Sequence, residues 1–418
     1  MSELIQVVDT PGEIAAAALR LRERLRLREL TPLEVLGLLE RWGAALHGRE
    51  LDTIPGVPFL RLWLRRGTLE PIVSRELGSA ALGGEWRGER GAQLRVFPLG
   101  VIGHWPAGNI EIQPILSLSC ALLGGNAGLV RVPSGLLHET AAMLEKLQAV
   151  DTDRSLMERI FVVSFEHERH DLQRAMAASV DGAMIWGGAE AVSQIRALPF
   201  PPWARLAVFG PRLSVAAMAS ECWGDLNERT AWCQRIARDV WQFDQQACSS
   251  PQTLFLERGA DGDMEAFVAA LATALAAEGR AHPRQDIDPA LTSAICLARA
   301  SWLLKGEERR AVFPATPDWT LLIGAGPDMP RPTQGRTLSL MVVDDLAQPI
   351  AGFDGAVQTL GLAVKNVARE AALAQAAGRN GVDRIVKLGR MHVFGSPWDG
   401  SDMIRPMVRL VRHVPSFP

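Results

Sequence analysis

Tyrosine is missing altogether from the 418 residues, and aromatic residues make up only 6% of the chain. Nothing in the sequence accounts physically for that gap. Cysteine is sparse and odd in number: Cys120, Cys222, Cys233, Cys248 and Cys296, with no CxxC pair. This excludes a disulfide framework and leads us to expect a reduced, cytoplasmic chain. Basic blocks are also lacking, and the net charge is -3, so nucleic acid is not an expected partner. The opening Met1-Ser-Glu-Leu-Ile has no basic stretch followed by an apolar one, so no signal peptide is expected. The span from Ile112 to Val130 carries no charge but includes Gln113, Pro114, Asn126 and three glycines. A buried helix followed by a turn explains it, and no membrane span is expected. There is no serine nucleophile elbow, internal repeat or low-complexity segment.

What is present belongs to a globular protein of two or three domains: hydrophobic residues are 48% and charged residues 22%. The first ninety or so residues read as helices. Thr31-Pro32-Leu33-Glu34 is a capping box with proline at the first helical position, and Leu33, Val35, Leu36, Leu38 and Leu39 supply an apolar face. Residues 83–93 are rich in Gly and Arg and read as an exposed turn or ribbon. From Leu94 onward strands and helices alternate. Strands are expected at 94–103, 127–132, 160–165, 183–186 and 206–217, and helices at 112–123 and 138–150. Such alternation indicates an α/β protein with a doubly wound parallel sheet. A long helix from Asn227 to Gln246 then leads to Cys248, a second alternating set runs to about Gly395, and Met403 to His413 reads as a late strand.

Three places can carry chemistry. In Phe243-Asp-Gln-Gln-Ala-Cys248-Ser-Ser-Pro251 a cysteine stands between a helix and a strand. Alone, such a residue is ordinarily a small buried hydrophobe. Gln245, Gln246, Ser249 and Ser250 make its surroundings polar, where a thiol can ionise and attack an activated carbonyl. Next, Gly100-Val-Ile-Gly-His104-Trp-Pro-Ala-Gly108-Asn109 follows a strand and precedes a helix. Asn109 either donates to an oxyanion or caps the helix that starts near Ile110. Third, Trp186-Gly187-Gly188-Ala189-Glu190 sits between a strand and a helix. Its glycines either let the backbone approach a pyrophosphate or simply make a tight turn. Two other patterns are set aside. Gly324-Ala-Gly326 lacks a third glycine and runs into Pro327 and a proline-rich stretch, which bars the helix a dinucleotide fingerprint requires. His167-Glu-Arg-His170 has metal-ligand spacing without a third ligand, so no metal is expected.

Together these residues resemble the aldehyde dehydrogenase superfamily and, within it, the LuxC-type acyl-CoA reductases of bacterial bioluminescence. The likeness runs from about Leu94 to the C-terminus, including Gly381-Val-Asp-Arg-Ile-Val386 and Trp398-Asp-Gly400, and is most specific at Cys248. It implies an aldehyde dehydrogenase-like α/β fold. A Rossmann-type cofactor domain with the N-terminal helices would span 1–220, with its ribbon near 83–97. A catalytic domain would span 221–400 and an oligomerisation strand 401–418. By position Cys248 matches the nucleophile and Asn109 the oxyanion asparagine. Trp186, Gly187, Gly188 and Glu190 match the Phe-Thr-Gly-Ser-Thr-Glu cofactor turn, with a glycine pair that departs from its spelling. Arg131 and Ser134 stand where the superfamily carries Lys-x-x-Glu.

Two departures shape the expected reaction. Hydrolytic aldehyde dehydrogenases use a Glu-Leu-Gly-Gly glutamate to activate water. Here the equivalent is near Val208-Phe209-Gly210-Pro211, without a carboxylate, so thiol exchange is favoured over hydrolysis. Lys-x-x-Glu becomes Arg131-x-x-Ser134; loss of the glutamate, with Arg131 able to pair with a phosphate, favours the 2'-phosphate of NADPH over NADH. The resemblance thus implies reduction of an acyl-CoA or acyl-carrier-protein thioester to an aldehyde through an acyl-Cys248. It also implies an acyl-activating partner enzyme and a homodimer or homotetramer. The alternatives are NAD(P)-dependent aldehyde oxidation and a non-redox acyl-binding scaffold subunit.

Overall fold

Residues 4–260, 263–284, 288–306 and 309–416 are described by a computed structural model of the chain. Two compact units make it up: Met1–Pro211 with Phe394–Pro418, and Arg212–Val393. The expected boundary near 220 lies beyond this division, because the strand that follows Pro211 pairs within the second unit.

Helices Pro11–Leu27 and Pro32–Ala45 open the first unit, each with a threonine cap and a proline in its first turn. At the second, Glu34 N–H donates to Thr31 Oγ1 (3.3 Å) and Thr31 N–H donates to Glu34 Oε2 (2.8 Å). A cap of this kind contributes about 1 kcal/mol. Val35, Leu36, Leu38 and Leu39 are buried as the periodicity predicts, whereas Leu33 is exposed.

The sheet of this unit comprises β1 (Ile5–Val7), β4 (Val101–Trp105), β5 (Ala127–Arg131), β6 (Ile160–Ser164), β7 (Gly182–Trp186) and β8 (Arg205–Phe209). Strands β2 (Arg87–Glu89) and β3 (Ala92–Pro98) form a separate hairpin. The sheet order is β1-β6-β5-β4-β7-β8, all parallel. The chain winds outward from β4 through β5 to β6, then returns to build β7 and β8 on the other side. That reversal places a topological switch point at the C-terminal ends of β4 and β7. Helix Gln113–Leu123 is buried from Pro114 to Leu123 and turns at Gly124-Gly125 into β5. This is the buried helix and turn expected for the charge-free span.

The single strand expected from Leu94 to Gly103 is two strands in different sheets. Gly100 separates them with φ of 140°, a conformation open to glycine. A Cβ there would stand 2.2 Å from Asp181 Oδ2, the oxygen that accepts the N–H of Val101.

Seven strands form the second sheet: β9 (Leu213–Met218), β10 (Pro251–Glu257), β11 (Arg310–Val312), β12 (Thr320–Ala325), β13 (Thr337–Val343), β14 (Val357–Ala363) and β15 (Arg384–Lys387). Their order is β11-β12-β13-β10-β9-β14-β15, parallel except for β11. Strands β10, β13 and β14 are buried along their whole length, as strands inside a parallel sheet covered on both faces should be. The expected strand 206–217 is likewise two, β8 and β9, one in each unit. Past Val393 the chain rejoins the first unit. There β16 (Val408–His413) adds antiparallel to β3 and completes a three-stranded sheet. The ribbon expected at 83–97 is this β2–β3 hairpin. No described helix is long and apolar enough to cross a membrane.

Candidate active site

The helix expected to reach Gln246 stops earlier. It runs from Leu226 to Trp241, capped by Asp225, which accepts from the N–H groups of Asn227 (2.9 Å) and Glu228 (3.0 Å). Three successive residues then take left-handed backbone conformations: Phe243, Asp244 and Gln245, at φ 55°, 51° and 61°. Each costs roughly 1–2 kcal/mol for a residue with a Cβ. No sequence signal of the usual kind marks the turn, since none of the three is glycine.

Polar side chains hold it. Gln245 is fully buried, and its amide donates to the carbonyls of Pro251 (2.8 Å) and Thr337 (2.9 Å) while accepting the N–H of Thr337 (2.6 Å). Arg336 donates from Nε to Asp244 Oδ1 (2.5 Å), and its guanidinium lies 3.5 Å from the centre of the Trp241 ring. Gln252, the extra residue at a bulge in β10, donates to the carbonyl of Gln245 (3.1 Å). Ser214 Oγ donates to the carbonyl of Cys248 (2.6 Å). Ser249 Oγ stands 2.9 Å from Nδ1 of His392. The sequence reading of these neighbours therefore needs correction. Gln245, Ser249 and Ser250 do not make an open polar setting; they are buried, and the first two fix the turn from inside.

Cys248 itself is half-buried at the N-terminal end of β10. Three other thiols are buried, which makes them harder to ionise. Burial pushes Cys222 up to about 11 and Cys233 up to about 12, and raises Cys120 further still. Cys296 is exposed, on helix Pro289–Leu303.

In the first unit, the C-terminal ends of the parallel strands gather the remaining candidates. Asn109 is exposed in the loop after β4. It is not a helix cap: the helix begins at Gln113 and its capping position is Ile112. Arg131 ends β5. Its guanidinium donates to the carbonyl of Phe165 (3.3 Å) and lies 5.5 Å from that ring's centre, while its buried Nε has no partner. Burial lowers its pKa, against the pull of Glu166 and Glu168. Ser134 is exposed at the start of the helical turn Ser134–Leu136. Trp186 ends β7, but its side chain belongs to the core. The indole N–H donates to Ser117 Oγ (3.0 Å) and the ring stacks on Phe209 at 4.0 Å. Its contribution to the loop is backbone alone.

Gly187, at φ 157°, turns the chain into helix Ala189–Arg196. A Cβ on Gly188, the capping position, would meet nothing within 4 Å. No side chain caps this helix. Glu190 is exposed and accepts from Gln194 (3.3 Å). An uncapped N-terminus after a glycine pair, beside a switch point, fits a dinucleotide pyrophosphate.

The LuxC acyl-CoA reductase family model matches residues 45–413. The chain belongs to that family. Among LuxC-type relatives, the long-chain acyl-protein thioester reductases of Photorhabdus laumondii and Aliivibrio fischeri are 25% and 23% identical over 354 and 356 residues. Each alignment covers 84% of this chain, and 70% and 72% of those proteins. Solved structures give the fold. An aldehyde dehydrogenase from Brucella melitensis biovar abortus 2308 superposes with a TM-score of 0.71 at 13% identity, covering 96% of this chain and 89% of that one. Aldehyde dehydrogenase 21 from Physcomitrella patens gives 0.71 at 12% identity, covering 98% and 92%. This LuxC-family chain thus has the aldehyde dehydrogenase fold, as the resemblance of its motifs implied.

Proposed function

We propose that this protein reduces an acyl thioester, carried by CoA or a carrier protein, to an aldehyde through a covalent acyl-Cys248. The contrast among its thiols carries this reading: Cys248 is half-buried in a clamped turn, while Cys120, Cys222 and Cys233 are buried and hard to ionise. The thiolate of Cys248 attacks the thioester carbonyl, forms the new carbon–sulfur bond and releases the carrier thiol. Asn109 and the backbone N–H of Cys248 donate to the oxyanion, by the residue match drawn above. The C-terminal edge of the first unit's sheet, with Gly187, Gly188 and the first N–H groups of Ala189–Arg196, would hold a nicotinamide dinucleotide. A reduced nicotinamide supplies the hydride. By the residue match drawn above, Arg131 would pair with a 2'-phosphate, which favours NADPH over NADH. The stretch Val208-Phe209-Gly210-Pro211 carries no carboxylate, so the acyl-enzyme has no base there to activate water. Two copies would associate through the small sheet of β2, β3 and β16.

The deciding experiment is mass spectrometry of the intact protein with a panel of acyl-CoAs and no nicotinamide. One acyl adduct per chain is expected. It should vanish in Cys248→Ala and persist in Cys120, Cys222, Cys233 and Cys296 variants. Continued acylation and reduction in Cys248→Ala would overturn the proposal.

A further inference from the structure

His392 was invisible as a functional residue in the sequence, being 143 residues from Ser249, yet it touches both ends of the nucleophile loop. Its Nε2 lies 2.8 Å from the carbonyl oxygen of Asp239, in the last turn of helix Leu226–Trp241. A carbonyl only accepts, so Nε2 carries the proton. The ring is buried and held neutral, its pKa pushed down to about 4 by burial. Nδ1 is therefore an acceptor, and Ser249 Oγ–H donates to it. One imidazole thus bridges the carbonyl of residue 239 and the hydroxyl of residue 249. Everything between them, the left-handed turn and Cys248 included, forms a loop closed by that ring. Phe243 also packs against it in a T-shaped pair, with ring centres 5.5 Å apart.

The imidazole is itself anchored. Arg384, on β15, donates to the carbonyls of Met391 (2.8 Å) and Val393 (2.7 Å), the residues on either side of His392. The carboxylate of Asp239 accepts the N–H of Gly389 (2.7 Å).

We propose that His392 is a positioning residue for the nucleophile, closing the loop from Asp239 to Ser249 and so fixing where Cys248 stands. The proposal rests on the acyl-Cys248 reading and extends it to a residue that never touches substrate. Misplacing a nucleophile by an ångström or so costs roughly a hundredfold in rate while leaving substrate binding intact, so the two effects can be separated.

The test measures single-turnover acylation of the full chain by an acyl-CoA over a range of concentrations. Variants are His392→Phe, His392→Gln, Ser249→Ala and the Phe–Ala double. His392→Phe should lower the limiting rate by about tenfold or more, with the half-saturating concentration changed less than about threefold. Ser249→Ala should act in the same direction, and the double variant should be no slower than the slower single. His392→Gln, which offers one donor and one acceptor, should fall closer to wild type than His392→Phe. A limiting rate unchanged in His392→Phe, or single effects that multiply in the double, would overturn the clasp. Should His392→Phe fail to fold, Ser249→Ala and His392→Gln decide alone. Hydrogen exchange across residues 242–250 provides a readout that needs no thioester. Faster exchange there in Ser249→Ala and His392→Gln supports the clasp, and unchanged exchange refutes it. A wild type that is never acylated would defeat the Cys248 reading, with the exchange result still deciding the clasp.

Discussion

Replacing Gln245 with alanine separates holding the nucleophile turn from holding the fold. The carbonyls of Pro251 and Thr337 each lose the amide donor that Gln245 supplies, while the N–H of Thr337 keeps its bond to the carbonyl of Gln334 (3.2 Å). Left buried and short of that donor, each carbonyl costs about 1–3 kcal/mol, so a rigid turn would lose roughly 2–6 kcal/mol. That is a large share of the stability of a domain, about 5–15 kcal/mol. The turn has a cheaper route. Phe243, Asp244 and Gln245 store roughly 1–2 kcal/mol each in left-handed backbone, or about 3–6 kcal/mol together, which is released if the turn opens and lets water reach the abandoned groups. Opening offsets most of the loss. Gln245→Ala should therefore reduce global stability by only about 1–3 kcal/mol, while the held conformation becomes a minor population and acylation falls by about tenfold to a hundredfold. Urea unfolding of the chain gives the first quantity and single-turnover acylation the second. A variant destabilised by more than about 4 kcal/mol whose folded fraction still acylates at the wild-type rate would show that turn and fold are one cooperative unit, and the reasoning would fail.

Asn109→Ala should lower turnover by about a hundredfold with cofactor affinity nearly unchanged; weakened cofactor binding with normal chemistry would assign Asn109 elsewhere. NADPH should bind more tightly than NADH, and Arg131→Glu should reverse the order, through repulsion as well as lost attraction; equal affinities in the wild type, measured by fluorescence titration, would remove Arg131 from the cofactor site. Burial lifts Asp239 to about 7 and drops His392 to about 4. The raised carboxyl stabilises the fold fully below its ordinary range near pH 4, and that contribution is lost as pH rises through about 7. The depressed imidazole stabilises above its ordinary value near 6.5, a contribution lost as pH falls through about 4. Between these limits the slopes oppose, at about 1.4 kcal/mol per unit each. Asp239→Asn should make stability rise with pH over this window, and His392→Phe should make it fall; melting profiles identical to wild type in both would show that neither group titrates there.

Much of this architecture was written locally. Thr31 and Glu34 lie within one helical turn of each other, so their reciprocal bonds could be read directly. The alternation of strand and helix patterns announced a parallel sheet, because parallel neighbours need a crossover between them. Cys248 was singled out by its motif, while its polar neighbours Gln245 and Ser249 are buried ties of the turn, which their residue types alone do not disclose. What escaped reading depends on distant partners or on backbone that the side chains do not disclose. Gly100 breaks an otherwise unbroken strand pattern because of Asp181, which lies far along the chain. The left-handed turn at Phe243–Gln245 has no glycine to mark it and persists through Gln245, Arg336 and Gln252. His392 is an unremarked histidine until Asp239 and Ser249 are seen on either side of it. Trp186 fitted a cofactor turn by position, while its indole is taken up by Ser117 and Phe209.

The first unit is built from two pieces of chain with all of the second unit synthesised between them, and this orders assembly in time. Glu76, on helix Arg66–Leu77, accepts the N–H groups of Ile404 (2.7 Å) and Arg405 (2.9 Å). Asn126 binds the carbonyl of Met407 (2.9 Å) while also accepting the N–H of Gly100 (3.0 Å). Glu76, a buried carboxylate, and Asn126, a buried amide, must therefore wait for a stretch that emerges only after Arg212–Val393 is made. On the ribosome, the part of the molecule that begins first is the part that finishes last.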